Sequence, residues 1–238
     1  MNDVKMTFTE HLAELRVRLV KGLLAIAVFA VIGYIFRVQI LYVIKKPLGN
    51  TIPLHAFDLF EPFFASLRIA GYTGLFFGLP FLVYQIMMFC LPALRPSEKK
   101  VIVGGLVCGI FLLYGGIIFS YVFILPLLIP QLSGFFSTGV EQTFSLKLYI
   151  DKIFRFIIAF GLGFQLPIIL VILVRIGAVS VAGLRKNRKY MMIGIFAAAA
   201  ILTPPDVISQ TLLAIPLLLL YEISIWVSSF LERGERST

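Results

Sequence analysis

Apolar residues run along the chain in six long stretches, at roughly residues 21–36, 63–89, 101–125, 153–174, 190–202 and 207–230, separated by Pro, Gly and charge. A helix crossing a hydrocarbon core of about 30 Å needs about 20 apolar residues, so each stretch reads as a membrane-spanning helix. The fifth is the exception: residues 190–202 reach only about 20 Å at 1.5 Å per residue. Thr203-Pro204-Pro205-Asp206 then turns the chain straight back into the sixth stretch. A hairpin this short thins the bilayer locally or shelters behind its neighbours. Pro80, Pro126, Pro167 and Pro216 interrupt the apolar runs and predict kinks. The predicted fold is all-α: one integral membrane domain over residues 1–238, with six helices in a bent, concave bundle and short fifth and sixth helices.

Ahead of the first span, Thr7 and Glu10 have capping-box spacing, and Phe8, Leu12, Leu15 and Leu19 share a helical face. This pattern predicts an amphipathic helix over residues 1–20, lying on the membrane surface. Glu14 and Arg18 sit at i,i+4 on its polar side, a pair worth only about 0.3–0.5 kcal/mol when exposed.

Composition narrows the class. The chain is 60% hydrophobic and 14% charged, with 23 Phe and a mean hydropathy of +0.99, whereas soluble domains carry about 25% charged residues. A cytosolic enzyme, a disordered chain and a disulfide scaffold are thereby disfavoured. The net charge of +9 is unevenly placed. Alternating the loops puts Lys5, Arg16, Arg18, Lys21, Arg95, Lys99, Lys100, Arg175, Arg185, Lys186, Arg188, Lys189, Arg233 and Arg236 on one side, against Arg37, Lys45, Lys46 and Lys147 on the other. The positive-inside rule then predicts cytoplasmic N- and C-termini. The opposite face carries two longer loops, 37–62 and 130–152, expected to cap the helix ends.

Polar groups within the apolar runs are few: Arg68, Gln165, Asp206 and Glu222, with Lys152 and Arg155 near one end of the fourth span. Such groups face protein or water and often mark function. Gln165 reads either as a helix-packing hydrogen bond or as a polar docking point for a partner helix or a translocating segment. Asp206 reads as the N-cap of the sixth helix, as a functional carboxylate at depth, or as both. On the basic side, Glu14 and Glu98 are carboxylates near the membrane plane. They either pair with Arg16, Arg18 or Lys99, or receive a cationic ligand, for which a planar guanidinium is the best match.

Signatures of catalysis are scarce. His11 and His55 fall on opposite sides of the predicted membrane, Cys90 and Cys108 flank one inner turn, and no Gly-rich loop leads into Gly-Lys-Ser/Thr. No cofactor or metal site is predicted. A proton-coupled small-solute transporter is the alternative, opposed by the lack of an internal repeat. An intramembrane enzyme would need Ser209 or His11 to have a partner at its own depth.

Four segments then point to a family. Glu10-His11-Leu12-Ala13-Glu14-Leu15-Arg16-Val17-Arg18-Leu19, Phe89-Cys90-Leu91-Pro92-Ala93-Leu94 with Glu98-Lys99-Lys100, Ala159-Phe160-Gly161-Leu162-Gly163-Phe164-Gln165-Leu166-Pro167, and Leu202-Thr203-Pro204-Pro205-Asp206 through Gln210 with Ala214-Ile215-Pro216 occur in order along nearly the whole chain. Together they resemble the TatC family, the polytopic subunit of the twin-arginine protein translocase. The resemblance implies a receptor for signal peptides bearing consecutive arginines, in a complex that exports folded proteins on the proton-motive force. It implies a multi-pass protein of a bacterial or archaeal cytoplasmic (inner) membrane, associated with single-span TatA-type and TatB-type partners and with further copies of itself. By motif position it assigns Glu14 and Glu98 to the twin-arginine signal, with Arg16, Arg18 and Phe89 completing the patch. Pro47, Gln165, Asp206 and Glu222 become positions of structural or functional interest, and Thr203 and Gln210 part of a partner-docking face. Gln165 stands where many members carry Glu; an amide can only hydrogen-bond, which argues against obligatory proton transfer there.

Overall fold

The computed structural model describes residues 8–49, 53–90, 96–134, 143–203 and 206–236, with the backbone alone described for 8–11, 90, 96–102, 132–134 and 233–236. Two compact units are present. The first comprises residues 1–46, 54–100 and 144–150. Its opening helix, α1 (Phe8–Ile35), is continuous. The expected division into a surface helix over 1–20 and a span over 21–36 is therefore corrected to one helix. No proline interrupts this segment, and Gly22, its one potential breaker in the middle, lies against Leu82, which occupies the space of the missing side chain.

The chain bends by 76° at Phe36 into α2 (Arg37–Lys45), followed by a 3-10 turn at Lys46–Leu48 that contains Pro47. The first half of the expected 37–62 loop is thus helical, because Val38, Ile40, Leu41 and Ile44 supply helical apolar spacing. A two-residue strand β1 (Leu54–His55) precedes α3 (Glu61–Cys90), which carries Pro80 without a break. α1 and α3 pack through small residues: a Cβ on Gly74 would stand 2.6 Å from the Ile26 carbonyl oxygen, and one on Gly78 2.6 Å from the Ile26 Cα. Without a hydrophobic drive between helices in lipid, such close backbone approach is what holds them together.

The second unit comprises residues 47–53, 101–143 and 151–238. α4 (Pro96–Phe119) passes into a π-turn at Ser120–Ile124, closed by the Leu125 N–H donating to the Ser120 carbonyl, and then into α5 (Leu125–Gly134). Pro126 has no N–H to give the preceding turn, and a π-turn is a common way for a helix to absorb such a lost bond. The helix thus extends past the expected end at 125. Beyond the strand β2 (Phe144–Ser145), α6 (Leu146–Gly163) and α7 (Leu166–Arg175) are separated by a turn at Phe164–Gln165, next to Pro167. Gly177, at φ 73°, ends α7: its N–H donates to the Val174 carbonyl and that of Ala178 to the Leu173 carbonyl, the hydrogen-bond pattern of a left-handed helix stop.

α8 (Val181–Lys186) is capped by Ser180, whose Oγ accepts from the Gly183 N–H at 3.0 Å. α9 (Arg188–Leu202) and α10 (Val207–Arg236) complete the chain. The short fifth element holds: 15 residues span about 22 Å. The short sixth does not, since α10 is 30 residues long. Its Leu-rich run keeps good helix formers on both sides of Pro216. Among the described residues, four helical stretches are long and apolar enough to cross a membrane, Glu61–Phe89, Val103–Gln131, Leu146–Arg175 and Val207–Glu232, and the bent α1–α2 pair counts as a fifth. The chain is a multi-pass helical membrane protein, and its small departure from all-α is the parallel pairing of β1 with β2, Leu54 opposite Phe144 and His55 opposite Ser145.

Candidate functional site

Near the start of α1, Glu14 is held by Arg18 one turn on. Arg18 donates from Nε at 2.8 Å and from Nη2 at 2.5 Å, both to Oε1 of Glu14. Glu14 Oε2 has no partner among the described residues, and both side chains are about one-quarter exposed. A depression of about 380 Å³ lies beside them, lined by Ala13, Glu14, Val17, Arg18 and Lys21. Arg16 is exposed, and Phe89 is half-buried in the last turn of α3. Glu98 falls in the first turn of α4 with its side chain outside the described residues, and residues 91–95, Pro92 included, lie outside them altogether.

Gln165 sits in the turn between α6 and α7 and donates from Nε2 to the Gly109 carbonyl of α4 at 2.9 Å. The spacing is tight, since a Cβ on Gly109 would be 3.2 Å from Gln165 Oε1. Gln165 therefore serves as an interhelical tie, in line with the packing reading of its amide.

Asp206 caps α10, its Oδ1 accepting from the Ser209 N–H at 2.6 Å. Its Oδ2 is buried without a hydrogen-bond partner among the described residues. Thr203 is buried and donates to the Ala199 carbonyl at 2.9 Å, closing the last turn of α9. Gln210 reaches from α10 to the Phe196 carbonyl of α9 at 3.0 Å. Of these three side chains Gln210 joins α10 to α9, while Thr203 closes the end of α9 and Asp206 the start of α10; Pro204 and Pro205 lie outside the described residues. Glu222 pairs with Arg188 at 2.7 Å, and both side chains are nearly half exposed. Arg188 sits in the basic run 185–189, so its role as partner to Glu222 was legible only as charge.

The strongest buried polar constellation was not anticipated. Glu61, 5% exposed at the start of α3, accepts from Ser145 Oγ at 2.5 Å and the Lys147 N–H at 2.8 Å on Oε1, and from the Phe57 N–H at 2.7 Å on Oε2. It clasps the β1 and β2 segments beside their pairing. Nearby, Tyr149 Oη donates to the Ile44 carbonyl at 2.8 Å. The available signal was an acid opening an apolar helix three residues after Asp58, which reads as an ordinary helix start.

The family model for the Sec-independent protein translocase protein TatC matches residues 10–216. The chain belongs to the TatC family. It is 38% identical over 227 residues to the Sec-independent protein translocase protein TatC of Desulforapulum autotrophicum, covering 94% of this chain and 84% of that one. To the TatC of Escherichia coli K12 it is 34% identical over 224 residues, covering 92% and 87% respectively. Its fold is similar to a crystal structure of the twin-arginine translocase receptor TatC, with a TM-score of 0.80 at 33% identity, covering 93% of this chain and 99% of the other. A second structure of that receptor, in DDM, gives 0.81 at 34% identity, covering 92% and 99%. TatC proteins are translocase components rather than enzymes, and this similarity gives no support to a small-solute transporter.

Proposed function

We propose that this TatC-family chain is the receptor for twin-arginine signal peptides and the core subunit of a translocase that exports folded proteins on the proton-motive force. In this reading the chain crosses the bacterial or archaeal inner membrane six times with both termini cytoplasmic, α9 serving as a short fifth span in a thinned bilayer. The bias of basic residues toward one set of loops supports that orientation. Single-span TatA-type and TatB-type proteins are its membrane partners, and Gln165, Thr203, Asp206, Gln210 and Glu222 belong to the helices that receive them.

The observation that carries the receptor reading is Glu14. Its carboxylate is partly exposed beside a depression, is held by one exchangeable i,i+4 arginine, and keeps one oxygen without a partner among the described residues. A signal arginine can take that oxygen and displace Arg18 from the other, a bidentate geometry that lysine cannot copy. Glu98 supplies the second carboxylate, and Arg16, Arg18 and Phe89 frame the site. Binding of a fluorescent signal peptide carrying Arg-Arg or Lys-Lys to purified protein tests this. Arg-Arg should bind, while Lys-Lys and the Glu14→Gln plus Glu98→Gln variant should lose most of the affinity. Equal binding in all combinations would reduce the patch to a solvated face.

A further inference from the structure

The basic end of the second unit carries a groove that the signal-peptide reading does not use. Arg185, Trp226, Ser229 and Phe230 line it, enclosing about 260 Å³. Trp226, Ser229 and Phe230 fall at i, i+3 and i+4 on α10, so they form one face. That face lies in the last turns of a helix of membrane-crossing length, and Trp226 and Phe230 are 75% and 79% exposed on it. Above them, Arg185 donates from Nη2 to Ser229 Oγ at 3.3 Å. The arginine is fixed in place, because the buried Tyr221 Oη donates to the carbonyl of the adjacent Leu184 at 2.7 Å and locks α8 onto α10.

Charge makes the groove specific. Arg185, Lys186, Arg188 and Lys189 stand within five residues. Among the described residues the acid in contact with them is Glu222, taken by Arg188, and Arg185 has only a neutral hydroxyl. A guanidinium over an outward-facing aromatic wall at a membrane-helix end matches a ligand with an anionic head and an apolar tail. A soluble anion gains nothing from Trp226 and Phe230, and an apolar helix gains nothing from Arg185.

We propose that this groove binds one anionic phospholipid, its phosphate on Arg185 and its acyl chain along Trp226 and Phe230. The proposal rests on the multi-pass membrane reading and is independent of the signal-peptide site. Trp226 is the sole tryptophan of the chain, so its fluorescence reports on the groove directly. The protein is reconstituted in phosphatidylcholine nanodiscs containing a small fraction of either phosphatidylglycerol or phosphatidylcholine spin-labelled near the top of the acyl chain.

Labelled phosphatidylglycerol should quench Trp226 with about fivefold higher apparent affinity than labelled phosphatidylcholine, the preference expected from one basic residue at an anionic headgroup. Arg185→Gln should abolish the preference, Arg185→Lys should retain part of it, and Lys152→Gln, in α6, should leave it unchanged. Retained quenching by labelled phosphatidylcholine certifies that each variant is folded in the bilayer. Equal quenching by both lipids in the parent protein, or a preference that survives Arg185→Gln, would overturn the proposal. Loss of the preference on adding glycerol phosphate would reassign the site to a soluble anion. Quenching relieved by a single-span partner, with no lipid preference, would reassign it to helix docking.

Discussion

Glu61 Oε1 and Ser145 Oγ meet at 2.5 Å although 84 residues separate them in the chain. The same carboxylate takes the Lys147 and Phe57 amides, so one side chain satisfies three donors at the point where β1 and β2 pair. Charge-assisted bonds of this kind are about twice as strong as neutral ones.

Glu61→Gln replaces one acceptor oxygen with an NH2 that must face a donor. A fall of several degrees in the thermal unfolding midpoint in detergent is expected, larger than that of Ser145→Ala. The double variant should be less than additive, because both changes break the same bond. An unchanged midpoint in Glu61→Gln would show that the clasp contributes nothing to stability.

Gly115 and Gly116 are adjacent on α4 and meet different surroundings. A Cβ on Gly116 would lie 2.6 Å from the Phe160 carbonyl oxygen and 2.9 Å from Phe164 Cγ, whereas one on Gly115 meets nothing within 4 Å. Gly116→Ala should cost about 1–3 kcal/mol, since backbone cannot yield as a side-chain tip can. Gly115→Ala should be neutral or slightly stabilising. Denaturation of the two variants side by side measures the difference.

Arg18 competes for the carboxylate that the proposed function assigns to a signal arginine. Removing it in Arg18→Gln frees Glu14 at the cost of a pair worth about 0.3–0.5 kcal/mol. Arg-Arg peptide affinity should therefore rise by about twofold. A large loss of affinity instead would mean that Arg18 touches the peptide itself.

Arg188 and Glu222 join α9 to α10 at 2.7 Å. As a partly exposed pair it contributes under about 1 kcal/mol. Glu222, however, lies within an apolar helix, where an unpaired carboxylate is costly. Arg188→Ala should thus destabilise the protein more than the double variant Arg188→Ala plus Glu222→Ala does. A thermodynamic cycle on the two positions reads this directly.

The α9–α10 hairpin marks the boundary between what could and could not be read from the chain. Apolar run length located the four long apolar stretches now seen at Glu61–Phe89, Val103–Gln131, Leu146–Arg175 and Val207–Glu232, and the 13-residue fifth stretch with Pro-Pro-Asp behind it already required a short element. Asp206 as a cap and Gln165 as a packing amide followed from residue type and place. The bonds from Gln210 to Phe196 and from Glu222 to Arg188 did not.

The unbroken α1, the helical α2, the long α10 and the Glu61 clasp were equally hidden. Hydropathy measures transfer into lipid, one residue at a time, and so determines which segments enter the membrane and, through the placement of Lys and Arg, an expected orientation. Whether an interruption breaks a helix depends on what packs against it, as Leu82 packs at Gly22. Which acid becomes a clasp depends on donors brought in from a distant segment. The sequence by itself therefore determined the class, the family and the candidate carboxylates, with Arg18 one turn from Glu14, and only the tertiary structure decided the partners of Glu61, Gln165 and Glu222, because a non-local hydrogen bond leaves no periodic trace in the chain that makes it.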